Sequence, residues 1–395
     1  MASQEILHEE SGRGSFLNDP KIRGILFQLV VVAALGALVW WIVGNTIDNL
    51  QRSHIASGFG FLKGRAGFDI SDTAIEYSSD STYARAILVG FINTLIVAAC
   101  GIATATIIGF LLGIGRLSRN WLIRAICTVY VEVFRNIPPL LVIFFWYFGV
   151  LSVLPLPRDS IHLPFGSYLN SRGFYLPKAV WGEGSWLIAV AFAVAVAMAW
   201  FVARRARQRQ MATGQQFPVL WTSVGLIAGL PLLAFALSGF PLTFDMPKQS
   251  TFNLTGGFQV KPEFLSLYLA LSFYTAAFIA EIVRAGIKGV SRGQSEASAA
   301  LGLRPAQALR LVIVPQAMRI VIPPLTSQYL NLTKNSSLAI AIGYPDLTAT
   351  TGTVLNQTGQ AVECVVIMMV VYLAISLVTS AFMNWFNAKM ALVER

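Results

Sequence analysis

Apolar residues run through this chain in long blocks, and the charges gather in the gaps between them. Eight blocks stand out, at residues 24–43, 85–115, 137–154, 186–202, 219–240, 264–283, 318–343 and 361–386. Each is of a length that crosses a bilayer as a helix, which takes about 17–25 residues. The pattern predicts an all-α polytopic membrane protein with about eight transmembrane helices. Basic residues cluster before the first block (Lys21, Arg23) and after the second (Arg116, Arg119, Arg124). They cluster again after the fourth (Arg204, Arg205, Arg207, Arg209) and the sixth (Arg284, Lys288, Arg292). With an even number of spans these clusters share one side, and the positive-inside rule makes that side cytoplasmic. Both termini are then expected in the cytoplasm, with connections 45–84, 152–185 and 241–263 facing outward.

The seventh block is the least lipid-like: MRIVIPPLTSQYLNLTKNSSLAIAIGY. Pro323-Pro324 is expected to interrupt its helix, and Asn331, Lys334, Asn335, Ser336 and Ser337 follow closely. A polar, proline-broken span belongs against a cavity rather than hydrocarbon. Lys334 either lines a pathway or snorkels to an interface. Glu281 either faces a solute or pairs with Arg284 at i,i+3 on a helix end. Glu132 and Arg135, at the same spacing just before Pro138-Pro139, read as a structural pair near a gate. Blocks four and five are plain Ala/Val/Leu/Trp runs and read as an inserted, lipid-facing scaffold.

Composition narrows the classes. The 395 residues are 55% hydrophobic and 12% charged, about half the charged share of soluble domains. The net charge of +10 lies in orienting clusters with no aromatic-interleaved basic face, which argues against nucleic acid. Cys100, Cys127 and Cys364 make neither a metal spacing nor a disulfide framework. His8, His54 and His162 all fall outside the blocks. A metal site is therefore not expected. An intramembrane hydrolase is disfavoured too, because no block holds a histidine or an aspartate. The first 20 residues are polar and acidic and lack a signal peptide's basic start and cleavage site.

One passage does not fit a lipid-bound chain: EASAALGLRPAQALRLVIVP, residues 296–315. It is alanine-rich and falls on the cytoplasmic side. Gly302 can end one short helix and Pro305 can begin another. Two such helices with an apolar face suit a groove on another protein. The spacing Glu296-Ala297-Ser298, Gly302, Val314-Pro315 resembles the E-A-A signature of ABC importer permeases, with Ser298 for the second Ala and Val314 for the usual Leu. The stretches at 90–118, 130–149, 284–297 and 314–325 resemble the polar amino-acid branch of that family. The first block, the loop around GFGFLKGRAGFDIS and the two inserted blocks resemble the larger permeases of general L-amino-acid systems.

The resemblance implies a type I importer core with inserted helices. Residues 1–23 would be a cytoplasmic tail and 24–84 an extra span with a periplasmic loop. Residues 85–154 and 263–395 would form the core, 155–262 an insertion, and about 285–313 the coupling helices. Glu296, Ala297, Ser298, Gly302 and Pro315 would contact an ATPase subunit. Lys334–Leu338 matches a run typical of amino-acid permeases, with Asn335 for the frequent Asp. In that reading Lys334 could meet an amino acid's carboxylate and Glu281 its ammonium. Glu132, Arg135 and Pro138 fall in a Tyr-x-Glu-x-Phe-Arg-Gly-x-Pro stretch, with Asn136 at the Gly position. Glu363 matches a family glutamate. The resemblance also implies ABC ATPase subunits carrying ATP and Mg²⁺, a second permease, identical or similar, and a periplasmic amino-acid-binding protein. The place would be the bacterial inner membrane. The chain has no G-x-x-x-x-G-K-[ST] loop to hold ATP itself. The competing reading is a self-contained secondary transporter or channel for small polar solutes, which leaves residues 296–315 unexplained.

Overall fold

The computed structural model describes residues 20–52, 58–250 and 253–390. The acidic tail, His8 and His54 lie outside them. Among the described residues seven helices are long and apolar enough to cross a membrane, or eight if one sharply bent pair is a single span.

The first helix, α1 (Pro20–Arg52), is exposed along its length. The core begins with α2 (Tyr83–Gly115), capped by Thr82, whose side chain accepts from the Arg85 amide at 3.3 Å. Instead of a bare basic turn, the chain then forms α3 (Trp121–Arg135). Asn120 starts it by accepting from the Leu122 amide at 2.9 Å. A 109° bend leads into α4 (Pro139–Phe144) and a π-helical continuation, Phe145–Leu151. The bend falls where Pro138 and Pro139 forbid α3 from running on.

The hairpin α5 (Trp186–Thr213) and α6 (Val219–Leu237) packs chiefly on itself. The connections flanking it are not the irregular loops that an all-helical reading implies. Strands β1 (Ile161–Leu163), β2 (Ser167–Asn170), β3 (Gly173–Leu176), β4 (Lys178–Trp181), β5 (Leu242–Asp245), β6 (Lys248–Gln249), β7 (Leu254–Thr255) and β8 (Phe258–Val260) build small antiparallel sheets. One has the order β1-β2-β3-β8, with Tyr168 opposite Tyr175 and Tyr175 opposite Gln259. The β4–β5 pair, Val180 opposite Thr243, closes the outer end of the hairpin.

Helix α7 (Pro262–Lys288) is the centre of the molecule and packs on α2, α3, α4 and α10 (Val314–Asn335). Lipid offers helices no hydrophobic drive to associate, so close approach through small residues holds them together. Gly101, Ala105, Gly109 and Gly113 recur every four residues along α2 and meet Ser272, Ala276, Ile279 and Ala280 of α7. A Cβ at Gly109 would stand 2.6 Å from the Ile279 Cβ, and one at Gly113 2.7 Å from the Ala280 carbonyl.

Between α7 and α10 lie α8 (Arg292–Ala300) and α9 (Pro305–Ala308), then a π turn, Leu309–Ile313. Pro323 and Pro324 do not break α10. The helix runs through both and tightens only at a 3-10 segment, Ser336–Ile342. Helix packing on α7 and α12 holds it in place despite two lost amide donors. α11 (Leu347–Thr358) and α12 (Ala361–Met390) complete the fold, α11 lying against the start of α2.

Candidate coupling and transport site

The short helices α8 and α9 form an elbow between the ends of α7 and α10. Gly302 makes the turn with φ +73°, a conformation that side chains with a Cβ resist. Its amide donates to Ala299 O at 2.9 Å, and the Leu303 amide to Ser298 O at 3.1 Å, which satisfies the end of α8. Pro305 opens α9, and Gln307 Oε1 accepts from the Arg304 amide at 3.0 Å. Gln316 of α10 donates to Gln294 of α8 at 3.0 Å, so the elbow moves with α10. Glu296 and Ala297 face outward. Ser298 is buried, and its hydroxyl donates to Gln294 O at 2.6 Å. Pro315 is partly covered at the start of α10. Leu301 is 80% exposed, with Leu309 and Leu311 also open, so the elbow carries an apolar face that no described residue covers.

Behind the elbow sits an ionic clamp. Glu281 of α7 pairs with Arg116 at the end of α2 and with Arg284 one turn on. Arg135 of α3 approaches it at 4.0 Å. Glu132 pairs with Arg116 at 3.5 Å. Glu132 and Arg135 therefore bind these partners rather than each other, because α3 packs against α7 and the end of α2 and sets both beside the arginine and glutamate there. Pro138 caps α4 at that bend. One carboxylate thus ties the ends of three helices. Both its oxygens are occupied, which takes Glu281 out of the role of partner to an amino acid's ammonium.

Position along the helices also separates Glu281 from the polar run of α10. Leu332 of α10 and Ser272 of α7 both flank Gly101, so Lys334 lies near the level of Ser272. Glu281 is nine residues further along α7, roughly 13 Å at 1.5 Å per residue. The two residues therefore belong to different depths of the helix bundle. Asn331 and Lys334 are exposed, and Asn335 and Ser337 are half-buried. Ser336 faces inward and donates to Thr333 O at 2.7 Å, while Ser337 donates to Lys334 O at 2.8 Å. Those two hydroxyls are satisfied by their own helix. Lys334 and Asn331 are the groups of this run left exposed.

A feature that sequence reading missed lies at the end of the bundle where α7 begins, away from the elbow. A cavity of about 420 Å³ is lined by Asp72, Asn93, Lys261, Phe264 and Tyr344 among others. Lys261 Nζ stands 3.6 Å from Asp72 Oδ1. Asn93 is buried in α2 and donates to Asp72 O at 2.8 Å and Pro345 O at 2.9 Å. Burial pushes the Asp72 carboxyl up, and Lys261 pulls it back. No sequence signal joins these residues, which come from four separate stretches. Nearby, Asp346 is fully buried and caps α11, accepting from the Ala349 amide at 2.8 Å and from the Tyr372 hydroxyl at 3.3 Å. Glu363 also receives a structural role, since its carboxylate accepts from the Gly58 amide at 2.6 Å and anchors the outer loop. Among the described residues no cluster of His, Cys, Asp and Glu could hold a metal.

Comparison with known proteins follows this geometry. Residues 208–392 match the family described as binding-protein-dependent transport system inner membrane component. The chain is 65% identical to the general L-amino acid transport system permease protein AapQ of Rhizobium johnstonii, over 96% of this chain and 95% of that one. It is 49% identical to the putative amino-acid ABC transporter permease protein YhdX of Escherichia coli, over 97% and 98%. It is 43% identical to the glutamate/glutamine/aspartate/asparagine transport system permease protein BztB of Rhodobacter capsulatus, over 95% and 96%.

Proposed function

This chain belongs to the family of binding-protein-dependent transport system inner membrane components, and we propose that it moves L-amino acids inward by alternating access driven by partner ATPases. The names of its relatives support the substrate class: general L-amino acids for one, acidic residues and their amides for another. The observation that carries the mechanism is the α8–α9 elbow. It is an exposed, partly apolar element, joined to α7 directly and to α10 by the Gln294–Gln316 hydrogen bond. Force applied there acts on both helices, and the Glu281 clamp passes it to α2 and α3.

In this reading ATP and Mg²⁺ bind on the ATPase subunits, whose closure brings two elbows together, one from this chain and one from a second permease. The outer cavity then opens toward a periplasmic binding protein. Asp72 and Lys261 pair with each other at 3.6 Å across this cavity, and in this reading they part so that the ammonium and carboxylate of one α-amino acid take each other's place. Both termini lie in the cytoplasm, in keeping with the basic clusters.

The test is uptake of labelled amino acids by cells that lack this permease, complemented with wild type or Glu296→Arg. Wild type is expected to restore ATP-dependent uptake and to co-purify with an ATPase. The variant is expected to lose both. Normal transport by the variant, with no ATPase accompanying either protein, would overturn the coupling reading.

A further inference from the structure

The cytoplasmic end of α5 carries four arginines that meet no carboxylate among the described residues. A helix entering the hydrocarbon at Trp186 leaves it after about 20 residues, near Arg205. α5 continues to Thr213, so Arg204, Arg205, Arg207 and Arg209 stand at headgroup depth. From residue 184 to residue 244 the chain has no aspartate or glutamate, and these are its only basic residues. Among the described residues none of the four joins an ion pair. The hairpin packs chiefly on itself, so the core does not neutralise them either.

Their surroundings are chemically specific. Arg205 and Arg209 are one turn apart and share a recess of about 470 Å³ with Phe201, Val202 and Phe217. Arg204 and Arg207 share a second, of about 360 Å³, with Trp200 and Ala203. In each, the aromatic residue of α5, Phe201 or Trp200, precedes the arginines along the helix and so stands nearer the hydrocarbon. The Arg205 guanidinium lies 5.0 Å from the Phe201 ring centroid and the Arg204 guanidinium 5.5 Å from that of Trp200. Arg209 is steadied by Gln215 at 3.0 Å. Arginine presents a planar fork that matches phosphate bidentately, and all four residues are arginine rather than lysine. A soluble anion would need only the charges. The apolar lower half of each recess calls for a ligand with a hydrocarbon end.

We propose that the cytoplasmic end of α5 binds anionic phospholipid, the arginines holding the phosphate and Phe201, Phe217 and Trp200 covering the glycerol and upper acyl carbons. Basic clusters just beyond a span attract anionic headgroups electrostatically. These recesses add a shape that holds individual lipid molecules.

The experiment uses the full chain, stripped of lipid in detergent and placed in nanodiscs of equal parts phosphatidylglycerol and phosphatidylcholine. Lipid retained after re-extraction is measured by mass spectrometry. Wild type is expected to retain phosphatidylglycerol preferentially. The variant with all four arginines changed to glutamine should retain it at least about tenfold less, four basic residues acting together at an anionic surface. Arg65→Gln, an exposed arginine paired with Asp80 and outside any basic cluster, should bind as wild type does. Arg205→Lys with Arg209→Lys keeps the charge and removes the fork, so it should fold normally and bind severalfold less. Equal retention by wild type and both multiple variants overturns the proposal. Displacement of the lipid by inorganic phosphate, but not by chloride of the same ionic strength, would assign the site to free phosphate instead. Loss of a co-purifying ATPase with lipid retention unchanged would assign the arginines to a protein partner.

Discussion

Replacing Glu281 with glutamine removes the one carboxylate that meets Arg116, Arg135 and Arg284 together. Its side chain is 24% exposed and that of Arg116 only 10%, and Arg116 would keep only the half-exposed Glu132 at 3.5 Å, so its charge would be poorly compensated. A unit charge pair at 4 Å and the effective dielectric near a protein surface is worth about 4 kcal/mol before desolvation. Breaking a buried pair by removing one partner costs about 3–5 kcal/mol. Partial exposure here places Glu281→Gln at the low end, about 3 kcal/mol. The assay is thermal unfolding of the purified protein in mild detergent, run as a double-mutant cycle with Arg116→Gln. The double variant should lose less than the sum of the singles by at least about 1 kcal/mol, since groups in contact couple. High salt should change this little, because the pairs are largely shielded from solvent ions. Strict additivity would refute the clamp. So would unchanged stability with a raised KM for amino-acid uptake, which is the signature of a substrate ligand.

Two further expectations follow from the fold. Gly109→Ala should destabilise by about 1–3 kcal/mol, because the new methyl overpacks the α2–α7 contact at Ile279. Gly225→Ala, on α6 with nothing within 4 Å, is the control and should not destabilise in the same thermal assay. Burial pushes the Asp346 carboxyl up to about 6 from 3.8, so the native state holds this proton more tightly than the unfolded chain. The group costs nothing below about pH 4. Its cost grows as pH rises toward 6 and stays in full above that, reaching about 3 kcal/mol at about 1.4 kcal/mol per tenfold. Asp346→Asn should keep the α11 cap, flatten this part of the stability–pH profile and gain stability relative to wild type at pH 7–8. A parallel fall in both proteins between pH 4 and 6 would count against the assignment.

The sequence by itself determined the membrane spans and the elbow. Hydrocarbon forces some 20 apolar residues per crossing, and this requirement is local, so blocks such as 85–115 and 361–386 are legible without neighbours. Gly302 and Pro305 likewise announce a turn and a helix start through their own backbone limits. What only the tertiary structure decided concerns pairs. Glu281 reads equally well as substrate ligand or ion pair until α2 and α3 bring Arg116 and Arg135 to it. Glu132 and Arg135 look like partners at i,i+3 until the packing of α3 on α2 and α7 offers each a partner on another helix. Pro323-Pro324 reads as a break because sequence shows the lost amide donors and not the flanking helices that hold α10 in line. The small outer sheets were hidden for a related reason. Their strands are two to four residues long, too short for a period, and β8 completes its sheet with β3 only after the chain has crossed the membrane twice. The Asp72–Lys261 cavity is the extreme case: charges 189 positions apart in sequence acquire meaning only when the fold sets them 3.6 Å apart.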